Sequence, residues 1–152
     1  MSANVLLYSS HTITEEELAE VILQAQGVLT PEPEKRSFGG IIEGSTYVWI
    51  DSIPCNEGVF DFEGNPLDEE DMVLLEQAEG LLGGKLQSCL YITLDTTPTV
   101  TRSGSQRLAV RFAHRCCQHW PCVVENNEGQ LFSCQEIEQL YKEGGGFTGY
   151  GL

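Results

Sequence analysis

The chain alternates between two spacings of apolar residues, and the switches between them mark out its elements. Val5-Leu-Leu-Tyr8 is a short apolar run suited to a first strand. Leu18, Val21, Ile22 and Ala25 then recur at the period of a helix that buries one face. Thr12 or Thr14 ahead of Glu15-Glu-Glu17 supplies the start, a hydroxyl cap followed by carboxylates at the positive end of the helix. Gly27 closes this run, and TPEPEKRS follows as a proline-bearing loop.

From Phe38 to Ile53 the period drops to two. Ile41-Ile-Glu43, a Gly44-Ser45 turn and Tyr47-Val-Trp-Ile50 predict a hairpin. The stretch IPCNEGVFDFEGNP is irregular and reads as a loop pinned to the body by Val59, Phe60 and Phe62. Leu67 to Asp71 opens a second helix, with Met72, Leu75, Ala78 or Glu79 and Leu82 as its apolar stripe and Gly83-Gly84 as its stop. Between Leu86 and Asp95, the residues Leu86, Ser88, Leu90, Ile92 and Leu94 share one face of a strand. The order β-α-β-β-α-β predicts a ferredoxin-like core, an antiparallel sheet with two helices on one face.

A polar loop, TTPTVTRSGS, leads into a third helix that Ser103 or Ser105 is placed to cap. Ala109, Phe112, Ala113, Cys116 and Trp120 form its core-facing stripe, and Arg107, Arg111 and Arg115 form a row one turn apart on another face. Trp120-Pro121 ends the helix. Cys122-Val-Val124 and Gln130-Leu-Phe132 flank a turn, and Ser133 with Glu136 makes a capping box for a helix to Glu143. This is a helix-hairpin-helix extension of an α+β core. The expected organisation is one acidic domain over residues 1–143 and a glycine-rich tail over 144–152, flexible unless Phe147 and Tyr150 dock.

Composition leaves that picture intact: 152 residues, 41% apolar and 20% charged, are ordinary for one globular domain. The apolar runs are too short to span a membrane, and the N-terminal segment has neither a basic region nor a long apolar one. A cytoplasmic protein is the expectation.

Charge adds more. The net charge is -15, and it is uneven: eighteen acids and three bases precede residue 98, whereas five of each follow it. The acidic part should repel nucleic acid and membrane surfaces and attract basic partners. Its densest segment holds Glu57, Asp61, Glu63, Asp68, Glu69 and Asp71, the expected partner-binding surface. Plain solubility is the competing reading of the same charge.

Candidate chemistry is sparse. Six cysteines without a CxxC pair, in a chain read as cytoplasmic, are expected to be thiols rather than bridges. His114, Cys117, His119 and Cys122 crowd one helix end, but a structural zinc site uses two close ligand pairs, so no metal is expected. Asp61, Glu63 and Asn65 alternate as in a calcium loop, yet the pattern stops at Pro66. Cys117 and His114 lie one turn apart, within reach of a nucleophile and base, with no third group to orient them. Phosphate-binding glycine loops, GxSxG and HExxH are absent. Thr101-Arg-Ser-Gly104-Ser-Gln shares only one glycine with the acetyl-CoA loop of GNAT acetyltransferases. No cofactor is expected.

The run FAHRCCQHWPCVVENNEGQLFSCQEIEQL, from Phe112 to Leu140, resembles the C-terminal end of small bacterial immunity proteins of polymorphic toxin systems. The shared pattern is a helix, Trp-Pro, a Val-Val strand, a glycine turn, a strand ending in an aromatic residue and Ser, and a Glu-rich helix. The resemblance implies a cytoplasmic protein that binds a protein partner, and it transfers no functional residue. An acidic antitoxin would suit a basic toxin domain, because complementary charge speeds association. The expected function is therefore non-enzymatic blockade of a toxin. A small enzyme built on the Cys/His/Arg cluster, or a ligand-binding part of a larger assembly, are the alternatives.

Overall fold

The computed structural model describes residues 3–29, 38–43, 46–53, 69–94, 102–126 and 129–147. In chain order the elements are β1 (Ala3–Ser9), α1 (Glu15–Gln24), β2 (Val28–Leu29), β3 (Gly39–Glu43), β4 (Thr46–Ile53) and α2 (Glu69–Leu82). They continue with β5 (Ser88–Leu94), α3 (Arg102–Cys117), β6 (Cys122–Glu125), β7 (Leu131–Ser133) and α4 (Cys134–Glu143). The seven strands make one antiparallel sheet in the order β2-β3-β4-β5-β1-β6-β7. The class is α+β.

β5 and β1 form the centre, paired from Ala3↔Leu94 to Ser9↔Ser88, with β4 on the other flank of β5. Side chains alternate across a strand, so Val5, Leu7, Leu90, Ile92, Leu94, Val48 and Ile50 share one face, and all are buried. Three helices cover that face: α1 through Leu18, Val21 and Ile22, α3 through its stripe, and α4 through Ile137. The α3 stripe of Ala109, Phe112, Ala113 and Cys116, with Trp120 just beyond, is buried throughout, as its spacing predicts. Each such large side chain removed from water contributes about 1.5–3 kcal/mol, an upper figure because unfolded chains are partly collapsed.

The ferredoxin-like arrangement is not the one adopted. There the last strand of the β-α-β-β-α-β unit lies outside the first strand, and both helices share a face. Here β5 lies between β4 and β1, and α2 packs on the opposite face, where Ala78 and Leu82 meet Val123, Tyr8, Leu86 and Leu131. The outer edge of β1 is occupied by β6, through Leu7↔Val124 and its neighbours. The β6–β7 hairpin therefore continues the central sheet. The interlocked unit is β5-α3-β6, two parallel strands with β1 antiparallel between them.

Local signals set most boundaries. Thr14 caps α1 in a capping box with Glu17, and Ser133 caps α4 in another with Glu136. α1 ends at Gln24; the left-handed residue after it is Gln26 at φ 67°, and Gly27 is needed for close approach to β3. Ser103 and Ser105 lie inside α3, which starts at Arg102, so neither caps it. The buried Ser105 hydroxyl instead donates to the Tyr47 carbonyl at 3.1 Å, tying α3 to β4.

Past α4 the chain stays packed. Phe147 is buried against Phe132, its N–H donates to Gln106 Oε1 at 3.0 Å, and its carbonyl accepts from Asn126 Nδ2 at 2.7 Å. Core packing thus runs four residues beyond Glu143, while Tyr150 lies outside the described residues.

The cysteines are not all thiols. Cys117, which ends α3, and Cys134, which begins α4, are joined in a disulfide with their Cα atoms 5.7 Å apart. The cause is tertiary: the β6–β7 hairpin turns the chain back, so α4 starts beside the end of α3. Cys89, Cys116 and Cys122 are buried thiols outside that bridge. No described helix is long and apolar enough to cross a membrane.

Candidate functional site

Of the six acids expected to face a partner, Glu57, Asp61, Glu63 and Asp68 lie outside the described residues. Glu69 is the first residue of α2 and is exposed, and Asp71 follows in the first turn. α2 is amphipathic in an unusual sense. Its inward stripe is narrow, with Ala78 and Leu82 as the buried residues. Away from that stripe it carries exposed apolar side chains too: Met72, Val73 and Leu81 are 50%, 52% and 55% exposed, with Met72 and Leu81 on opposite sides of the helix. Exposed Glu69, Glu70 and Glu76 lie among them. Met72 lies outside the inward stripe, about 120° around the helix from Ala78 and about 80° from Leu82.

The Cys/His group at the end of α3 is dispersed by its contacts. Cys117 is in the disulfide. The His114 ring stacks on Tyr141 of α4, with centroids 4.1 Å apart and planes 5° from parallel. His119 Nε2 lies 2.8 Å from Gln24 Oε1 on α1, and its ring tilts against Trp120. Cys122 is buried on β6 opposite Ser9 of β1, and burial pushes its thiol up to about 12. Cys116 is raised well above its ordinary value by the same cause. Thiols held protonated in this way are poor nucleophiles and poor metal ligands. Among the described residues no three His, Cys, Asp or Glu side chains converge as metal ligands do.

A second polar cluster stands where α1 begins. His11 Nε2 lies 2.9 Å from Glu17 Oε2, and the His11 ring stacks on Trp120. The Glu17 carboxylate also accepts from the Thr14 backbone N–H at 3.0 Å. That backbone hydrogen bond, with His11 second, holds Glu17 down to about 2. The geometry accounts for a helix cap rather than for chemistry on a ligand.

The arginine row resolves into three different fates. Arg115 Nη1 donates to Gln118 Oε1 at 2.9 Å. Arg111 Nη1 donates to Glu43 Oε1 at 2.8 Å, an ion pair between α3 and the end of β3. Arg107 is exposed. Between α3 and the end of α4 lies a cleft of 380 Å³ whose walls include Arg107, Arg111, Tyr141 and Glu43. The four-residue repeat of the arginines is visible in the sequence. Their convergence with Glu43 and Tyr141 is not, because those residues come from elements far away along the chain. No protein-family model matches the chain, nor does any curated protein or solved structure.

Proposed function

We propose that the protein is a bacterial immunity-type inhibitor that binds a basic toxin domain and blocks it by covering its active site. The observation that carries this reading is the outer face of α2, where Met72 and Val73 are exposed beside Glu69 and Glu76, with Leu81 and Glu70 exposed on the adjoining flank. Stable protein interfaces place apolar anchors in a dry centre and charges on the rim, and rim charges act chiefly on association rate. Glu57, Asp61, Glu63 and Asp68, which precede α2 in the sequence, add to the acidic charge that meets the partner in this proposal. Catalysis forms no part of it, and no nucleic acid, membrane or cofactor is needed. The enzyme alternative loses its thiol, since Cys117 is bonded to Cys134.

The test is co-expression with the product of the adjacent reading frame, followed by kinetics on the purified pair. The wild-type chain is expected to restore growth and to associate more slowly as salt rises, because the Debye length is about 8 Å at physiological ionic strength. Reversal of Glu69, Glu70 and Glu76 to Lys should slow association and flatten the salt dependence. Lys at Gln135, Glu138 and Glu143 on α4 should change little. Equal association of the two triple variants, or growth arrest that the wild-type chain does not relieve, would sink the proposal.

A further inference from the structure

The cleft between α3 and α4 faces away from α2, and it gathers positive charge in a chain whose net charge is -15. Two guanidinium groups, Arg107 and Arg111, line it against one carboxylate, Glu43. Arg111 uses only part of its donor set. Its Nη1 is bound to Glu43, whereas Nε and Nη2 are buried and have no hydrogen-bond partner. Those two N–H groups point the same way from the planar group. They form the side-on fork whose spacing matches two oxygens of a carboxylate or phosphate. Leaving such donors buried and unmatched is unfavourable, and a bound oxyanion removes that cost.

The remaining walls suit the body of such a ligand. Leu108 and Leu140 are apolar, and Tyr141 presents a ring whose plane is set by stacking on His114. Arg107, one turn before Arg111, makes no ion pair or hydrogen bond among the described residues and stands at the same opening. The Arg111 and Glu43 side chains are 26% and 55% exposed, whereas Nε and Nη2 are out of contact with solvent, so the ligand engages that fork by drawing the guanidinium round toward the cleft. A cleft of 380 Å³ lies at the small end of the range for ligand sites, roughly 300–1,000 Å³.

We propose that the α3–α4 cleft binds a small ligand that carries one oxyanion, held by Arg111 and Arg107, on an aromatic or apolar body resting against Tyr141. The site is separate from the α2 surface and does not depend on its role. Glu43 acts as the internal occupant of half the Arg111 guanidinium, so it competes electrostatically with the ligand.

Calorimetric titration of the full chain with phenyl phosphate, benzoate and inorganic phosphate tests this at low salt. Phenyl phosphate alone binding would make the oxyanion a phosphate, benzoate alone a carboxylate, and either supports the site. R107Q and R111Q should each weaken binding by about tenfold or more, the scale of a lost charged hydrogen bond. E43Q should tighten it, and Y141A should weaken the aromatic probes while leaving inorganic phosphate unchanged. R107Q alters an exposed side chain, so its effect is readable even if R111Q folds poorly. No binding of either aromatic probe at millimolar concentration would overturn the proposal. So would equal binding to wild type and R107Q, or weaker binding to E43Q.

Discussion

A Cβ placed on Gly27 would stand 2.5 Å from the carbonyl oxygen of Gly40 and 2.6 Å from Ile22 Cγ2. The turn after α1 therefore meets β3 with no room for a side chain. Gly27→Ala should cost about 1–3 kcal/mol by overpacking. Gly80, inside α2, is different, because a Cβ placed on it would meet nothing within 4 Å. Gly80→Ala should instead stabilise by about 0.5–1 kcal/mol, since Ala loses less backbone freedom on folding. Urea midpoints of the two variants should move in opposite directions, and a shared direction would contradict the packing described.

The Cys117–Cys134 disulfide closes a loop at a sequence separation of 17 around the whole β6–β7 hairpin. Chain-entropy reasoning assigns about 3 kcal/mol to a loop of this size, with the mechanism model-dependent. C117A/C134A should melt lower than the oxidised wild type, and reductant should lower the wild type alone. Identical melting of wild type with and without reductant, in a sample whose bridge is verified by mass, would remove the bridge from the account of stability.

Periodicity and caps were the legible part of this fold. Thr14 with Glu17, Ser133 with Glu136, the α3 stripe and both hairpins act over a few residues, so their signals are local. Strand order was not legible. β5 would suit an edge beside β1 or the slot between β1 and β4, and the outcome depends on β6 taking the free edge of β1. The thin inward stripe of α2, Ala78 and Leu82, likewise gave no sign of which sheet face it would cover. At the cleft the arginine row was visible, but Glu43 pairs with Arg111 across 68 positions, beyond any local pattern.

Phe147 shows the same limit in the glycine-rich segment. It is buried, packs edge-on against Phe132 at 5.3 Å, and has its backbone held by Gln106 and Asn126. Phe147→Ala should cost about 3–5 kcal/mol, the range for a buried aromatic truncated to Ala. Denaturation of the full-length variant checks this. A loss below about 1 kcal/mol would place Phe147 outside the cooperative core.

Glu17 sets an acid limit. Its carboxylate is held down to about 2, from an ordinary 4.5, chiefly by the Thr14 backbone N–H and then by His11. A depressed carboxylate stabilises the fold above its unfolded value, and the contribution is lost as pH falls from there through the folded value. Wild type should therefore lose stability between pH 4.5 and 2 more steeply than Glu17→Gln. Parallel acid limbs for the two proteins would show that the capping box does not bind protons differently on folding.

The buried thiols set the opposite limit. Cys116 lies well above its ordinary 9.0 and Cys122 is pushed up to about 12, in both cases chiefly because burial disfavours the thiolate. Here the folded state keeps its protons while the unfolded chain releases them. The stabilising contribution is complete below pH 9 and is lost as pH rises from there towards 12. Tyrosines and lysines also titrate in this window, so the comparison must be between variants. Cys122→Ala should be less stable at neutral pH, from the lost packing, yet show a shallower alkaline decline than wild type. In the native protein Cys116 and Cys122 should resist iodoacetamide and react once urea unfolds the chain, as peptide mapping would show. Native-state alkylation of either thiol at the rate of an exposed cysteine, or equal alkaline slopes for wild type and Cys122→Ala, would mean that water reaches the space between α3 and β6.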